Sequence, residues 1–310
     1  LHDALPISVV YVDSGSSDGS VARARERGAL VEELPADAPF TAGRARNRGF
    51  EALRRHAPEL AFVQLVDGDC EVVAGWLSAA RAHLEAHPEV AVVAGRRRER
   101  APGATPYNRV TDMEWNTPTG ERDDVGGDAL YRSAVFAAAG GFDPDLIAGE
   151  EPELCLRIRR LGHRIHRIDR DMTLHDADLR SFAAWWRRQV RSGHAYAESV
   201  HLHGSSPDRL FVRNLASIAF WPLAPPLLAL AGMALVGPAG LLALGLYGVL
   251  LARVYGARRR LADPPRHAAL YAFAVALGKW AELQGALRYA WSRLRGRRTP
   301  LLEYKGPDAP

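Results

Sequence analysis

Three observations predict an α/β fold with a mostly parallel sheet flanked by helices, followed by a C-terminal transmembrane helical hairpin and an amphipathic helix. Short apolar runs at 7–12, 61–66 and 90–94 alternate with helix-period stretches, the pattern of strands buried under helices on both faces. Two of those runs end on aspartates, Asp13 and Asp67. Residues 215–252 are almost uncharged, apolar and too long for one membrane crossing.

The first strand is the β-branched run 7–12. Ser16, Ser17 and Asp18 can cap a helix over 20–27, with Gly28 as its stop. Thr41 can cap a second helix reaching Arg55, which ends before Pro58. The strand 61–66 is followed by a helix over 75–86 and a short strand over 90–94. Residues 96–124 carry three prolines and several glycines and read as an irregular, substrate-covering loop. Within them the arginine-rich run 96–100 reads as a solvated surface. A helix over 133–139 precedes Gly140-Gly141-Phe142-Asp143. A further helix over 150–161 has Pro152 and three glutamates in its first turns and Gly162 as its stop. Leu154, Ile158 and Leu161 make its core stripe. Residues 164–168 alternate as a strand.

In the apolar stretch, Gly237-Pro238 divides two helices of membrane-crossing length, over 215–236 and 239–255. Their outer flanks are basic, with Arg209 and Arg213 before and Arg253 and 258–260 after, so both ends are expected in the cytoplasm. A third segment, 267–291, has helical apolar spacing interrupted by Lys279, Glu282 and Arg288. It reads as an amphipathic helix on the membrane surface, with a third span as the alternative. The expected divisions are 1–200, 201–260 and 261–310, the last ending in a basic tail.

Composition narrows the function classes. At 310 residues, 47% hydrophobic and 25% charged, the chain has room for a substantial core and is not a disordered polymer. Its net charge of +4 is spread along the sequence, and no nucleic-acid partner is expected. Cys70 and Cys155 make neither a metal-ligand spacing nor a disulfide framework. Residues 1–8 lack a basic region followed by an apolar core and read as the edge of a longer chain or as foreign sequence.

The chemistry centres on Val66-Asp67-Gly68-Asp69. Two carboxylates one residue apart, at the carboxyl end of a buried strand, can converge on one divalent cation that bridges to substrate phosphates. Asp13-Ser14-Gly15-Ser16-Ser17-Asp18 offers short acids and hydroxyls that can meet a base or ribose edge at another strand end. Trp185-Trp186-Arg187-Arg188-Gln189 forms an aromatic and basic stretch just ahead of the apolar segment, suited to a membrane interface.

Taken with 43–49, Gly126-Gly127-Asp128, Gly140-Gly141-Phe142-Asp143 and Gly149-Glu150-Glu151-Pro152, the order and spacing resemble glycosyltransferase family 2 from about residue 9 to 175. The resemblance implies a GT-A fold, a nucleotide-sugar donor and a divalent cation, Mn²⁺ or Mg²⁺. It implies donor contacts from Asp13, Ser16, Asp18, Arg44, Asn47 and Asp67. Asp69, Asp67 and His175 would hold the metal, with Asp69 the closer ligand. Glu151 would be the base of an inverting transfer, supported by Glu150. Gly127, Asp128, Trp186 and Arg187 would lie on the acceptor side. The family's opening strand and loop precede the Asp13 strand, so the chain is expected to be N-terminally truncated and the fragment weakly active. The expected partners are a nucleotide sugar, the lipid bilayer and a lipid-linked or cell-envelope glycan acceptor, at a membrane whose cytoplasmic side carries the catalytic domain. The alternatives are a sugar nucleotidyltransferase and a non-catalytic scaffold subunit of an envelope glycan assembly.

Overall fold

A computed structural model describes residues 7–35 and 40–297; residues 1–6 and the end of the expected basic tail, from Arg298 on, lie outside them. The chain forms two compact units, one of residues up to 98 with 115–176, the other of 99–114 with 177 onward.

The first unit contains β1 (Val10–Asp13), α1 (Ser20–Glu26), β2 (Leu30–Glu33), α2 (Ala42–His56), β3 (Phe62–Leu65), β4 (Cys70–Val72), α3 (Trp76–Ala86) and β5 (Val90–Glu99). The second unit contributes α4 (Pro106–Glu114), after which β6 (Gly120–Glu121), β7 (Ala129–Arg132), α5 (Ser133–Ala138), α6 (Glu150–Arg160) and β8 (Arg164–His175) return to the first. The six-stranded sheet runs β3-β7-β5-β8-β4, with β6 paired to β8. It is mixed rather than mostly parallel. β7 lies antiparallel to both β3 and β5, and β4 and β6 lie antiparallel to β8. β7 and β4 are four- and three-residue strands beside glycine-bearing turns, too short for alternation to reveal. The parallel pair β1–β2 forms its own sheet.

Residues Val90 to Ala94 of β5 are fully or nearly fully buried, against Trp76 and Leu84 of α3 and Ile158 of α6. Thr41 caps α2 as expected, its Oγ1 accepting from the Arg44 amide. The cap of α1 differs. Gly19 occupies that position in the left-handed region, and Asp18 accepts from the Ser20 amide instead. Leu161 is half exposed at the C-cap of α6, so the buried stripe there is Leu154, Cys155 and Ile158. The segment expected to be irregular is largely regular. β5 continues to Glu99, and α4 begins on Pro106, with Thr105 Oγ1 accepting from the Asn108 amide.

The second unit holds α4, α7 (Phe182–His203), α8 (Val212–Val236), a 3-10 segment (Gly237–Gly245), α9 (Leu246–Arg260) and α10 (Pro265–Leu294). Val212–Arg260 is one segment long and apolar enough to cross a membrane, and only 11% of its most apolar window is buried. Gly232 and Gly240 approach so closely that a Cβ on Gly232 would lie 2.7 Å from the Gly240 Cα. The Tyr247 hydroxyl donates to the Trp221 carbonyl at 2.8 Å. The chain therefore doubles back on α8. Arg258, one of the basic flanking residues, is buried, donating to Asp263 and to the Met113 carbonyl. α10 lays Ala272, Gly278, Ala281 and Gly285 inward, while Phe273, Trp280, Leu287 and Trp291 are exposed.

Candidate active site

The sheet register assembles the site. In β4–β8 Cys70 pairs with His175, which sets Asp69 beside the imidazole, with Asp69 Oδ2 3.4 Å from His175 Nε2. In β3–β7 Leu65 pairs with Ala129, which brings the Asp67 amide to Asp128 Oδ1 at 3.0 Å. Asp128 is fully buried and also accepts from Thr173 Oγ1 at 2.6 Å. It supports Asp67 from beneath.

Arg46 joins the two ends of the site. Its guanidinium lies 2.6 Å from Asp67 Oδ1, 3.1 Å from Glu150 Oε1 and 3.2 Å from Glu151 Oε1, with its side chain only 12% exposed. Burial opposes the charge, but Asp67, Glu151 and Glu150 keep this guanidinium protonated well beyond its ordinary range. Arg97 Nη2 takes the other side, 3.2 Å from Asp67 Oδ2 and 3.0 Å from Asp128 Oδ2. The arginine run is therefore not all solvated surface. Extending β5 turns Arg97 inward, while Arg98 stays exposed and pairs with Asp171. Burial alone would raise the Asp67 carboxyl; Arg46 and Arg97 outweigh it and bring the pKa down to about 2.

Both Asp67 oxygens are thus occupied by guanidinium groups. The ligand atoms of Asp69, Cys70 and His175 lie within 4.8 Å of one another, as do those of Asp67, Cys70 and Asp128. Burial, and then the Asp128 charge, push the Cys70 thiol upward. Asp69 offers a carboxylate and His175 an imidazole beside it. That pair fits a divalent cation that keeps positions open for phosphate oxygens and water.

Glu150 is buried and Glu151 less so, at the N-terminus of α6 where the helix dipole favours acids. Glu153 sits beyond them, held bidentately by Arg157. Gly127 lies beneath Arg46 and Glu151. A Cβ there would collide with Arg46 Nη2 and come within 2.9 Å of Glu151 Oε1.

The remaining expected residues lie as follows. Asn47 spends its side chain on the Phe142 backbone, accepting from the amide and donating to the carbonyl, both at 2.8 Å. No side-chain contact joins Arg44 to the acids among the described residues; Arg46, two positions on, makes them. The inward stripe of α2 on which the buried Gly43 and Phe50 lie with Asn47 is the signal that would have singled out Arg46. Asp13 is buried at the end of β1, its Oδ2 accepting from the Gly15 and Ser16 amides. Burial would raise its carboxyl, but these hydrogen bonds hold it below its ordinary value. Ser16 and Asp18 are exposed in the loop so shaped. Trp186 and Arg187 belong to the second unit, where Trp186 Nε1 donates to Gln284 Oε1 at 2.7 Å. Trp115, not singled out by sequence, packs edge-on to His175 and lies under the Arg97 guanidinium.

Residues 2–140 match the family described as Glycosyl transferase family 2. Two Mycobacterium tuberculosis proteins, the pre-mycofactocin glycosyltransferases of strains CDC 1551 / Oshkosh and ATCC 25618 / H37Rv, are each 27% identical over 189 residues, covering 57% of this chain. The match spans 38% of the length of those relatives. Among solved structures, the mannosyltransferase PcManGT from Pyrobaculum calidifontis superposes with a TM-score of 0.54 at 22% identity, over 92% of this chain and 78% of that one. Residues 2–140 therefore carry a glycosyltransferase family 2 match, on a mixed α/β sheet of GT-A-like fold.

Proposed function

We propose that this protein is a metal-dependent inverting glycosyltransferase that moves a sugar from a nucleotide-sugar donor to a lipid-linked or cell-envelope glycan acceptor. The observation that carries the reading is the convergence of Asp67, Glu150 and Glu151 on Arg46, with Asp69 two residues past Asp67 and set against His175, all within one compact unit. Carboxylates outnumber guanidinium groups there, a field that favours a cation. PcManGT was solved with GDP-Man and Mn²⁺, which supports a nucleotide sugar and a divalent cation in the same fold.

In this reading Asp13 shapes the 14–19 loop that receives the base and ribose, and Ser16 and Asp18 present its polar rim. Asp69 and His175 hold the cation, which when bound supplies Lewis-acid relief of the charge on the departing diphosphate. Asp67 orients the ribose side while Arg46 and Arg97 keep it ionised. Glu151 is more accessible than Glu150 and takes the proton from the acceptor hydroxyl. Arg46 restrains Glu151 through their 3.2 Å contact.

The acceptor class rests on the second unit. Its apolar segment, exposed at Leu227, Leu230, Leu235 and Leu242, crosses the membrane as a hairpin in this proposal, with the catalytic unit on the cytoplasmic side. A cavity of about 540 Å³ lined by Tyr107, Phe182, Trp185, Phe273 and Trp280 suits an apolar acceptor tail.

The test compares the parent with Asp69→Ala and Glu151→Gln in membranes supplied with Mn²⁺. Asp69→Ala should lose donor binding. Glu151→Gln should bind donor and fail to transfer, with a rate loss on the order of 10²–10⁴. Equal transfer by all three would refute the mechanism.

A further inference from the structure

We propose that His83, His87 and His166 form a second metal site, for Zn²⁺ or a similar cation, that staples the end of α3 to β8. His83 and His87 lie one helical turn apart, so they share a face of α3 and its C-cap. His166 faces them from β8. His83 Nε2 and His166 Nδ1 are 3.0 Å apart, and the three ring centroids are separated by 4.5, 5.2 and 5.9 Å. With Zn–N bonds of about 2.0–2.1 Å, tetrahedral imidazole nitrogens sit roughly 3.4 Å apart and their ring centroids about 5 Å apart. The three ring centroids lie near the spacing a shared ion sets, and the His83 and His166 nitrogens already face each other, while the His87 nitrogen must turn toward them.

The surroundings suit the role. His87 Nδ1 is 3.5 Å from Glu89 Oε1, the carboxylate contact that leaves Nε2 for a metal and raises its basicity. Coordination asks a ring rotation of His87, whose side chain is 44% exposed. The His87 backbone is anchored, its carbonyl accepting from Arg132 Nη2 at 3.2 Å. The site is separate from Asp69 and His175. His175 lies nine residues further along β8, about 30 Å at the rise of a strand.

The test uses the full chain stripped by chelator, in an Asp69→Ala/His175→Ala background that silences the other candidate site. Zn²⁺ titration followed by calorimetry should show one equivalent bound, and Co²⁺ should give the intense visible absorption of a tetrahedral site. Thermal stability should rise with Zn²⁺. His83→Ala/His166→Ala should abolish all three effects. The single change His87→Gln, at an exposed position, should weaken binding at least tenfold while leaving the metal-free melting temperature unchanged. Failure of the histidine-intact chain to bind, or unchanged binding in the His83→Ala/His166→Ala variant, would overturn the proposal, whatever the outcome for sugar transfer.

Discussion

Arg46 donates to Asp67 at 2.6 Å and, through its other terminal nitrogen, reaches Glu150 and Glu151. One guanidinium therefore ties the end of β3 to the start of α6. Arg46→Ala would leave three carboxylates facing one another in a largely buried space. The expected loss is about 3 kcal/mol of unfolding free energy, read by chemical denaturation. Arg46→Lys should recover only part of it, because a single ammonium cannot span all three acids. A loss within error of zero would show that the cluster is solvated and its contacts weak.

Gly127→Ala tests the same cluster sterically. The added methyl meets Arg46 Nη2 and Glu151 Oε1, both at the ends of side chains that can move. The fold should survive with a small drop in melting temperature, while sugar transfer falls at least tenfold as Glu151 is displaced. Unimpaired transfer by a folded variant would remove Glu151 from the reacting centre.

Acid titration probes Asp67. Its carboxyl goes from an ordinary 3.8 to about 2 in the folded chain. A lowered folded-state pKa contributes stability that is fully present above about 3.8 and is lost as pH falls toward about 2. Arg97→Ala should flatten that part of the stability–pH curve. An identical curve for parent and variant would mean that Arg97 does not hold the carboxylate.

In the second unit, α7 and α10 touch through glycines. A Cβ on Gly193 would run into the Glu282 carbonyl, and one on Gly285 into the Val190 carbonyl. Gly193→Ala and Gly285→Ala should each cost about 1–3 kcal/mol, measured by thermal unfolding in detergent. The paired variant should cost less than the sum of the two, since one separation of the helices relieves both clashes.

Sequence reading located the acids better than the bases. Asp67, Asp69, Glu151 and His175 stand out because short polar residues at strand and helix ends have few packing roles. The structure places them on one side of the first unit. Arg46 and Arg97 were hidden for opposite reasons. Arg46 is one of five arginines in α2, where only the Gly43–Asn47–Phe50 stripe separates inward from outward. Arg97 lies in a run of three arginines whose strand alternation is masked because all three are polar. Asp128 was legible as a special residue, but its burial beneath Asp67 was not, since sequence does not show which carboxylates lie under a neighbour. β2, β4 and β7 escaped because strands of three or four residues carry too little periodicity, and with β7 went the mixed character of the sheet.

The Asn47 clamp on Phe142 explains what the paired glycines at 140 and 141 accomplish. Both adopt positive φ, 81° and 68°, and a Cβ on Gly141 would lie 2.5 Å from Asn47 Oδ1. No side chain of that Gly-Gly turn reaches the acids; it is carpentry rather than chemistry. An amide side chain of this length offers a donor and an acceptor at once, so Asp or Leu at 47 would satisfy half the joint or none. Any loosening there would let α2, and Arg46 with it, swing independently of the loop that delivers Glu150 and Glu151.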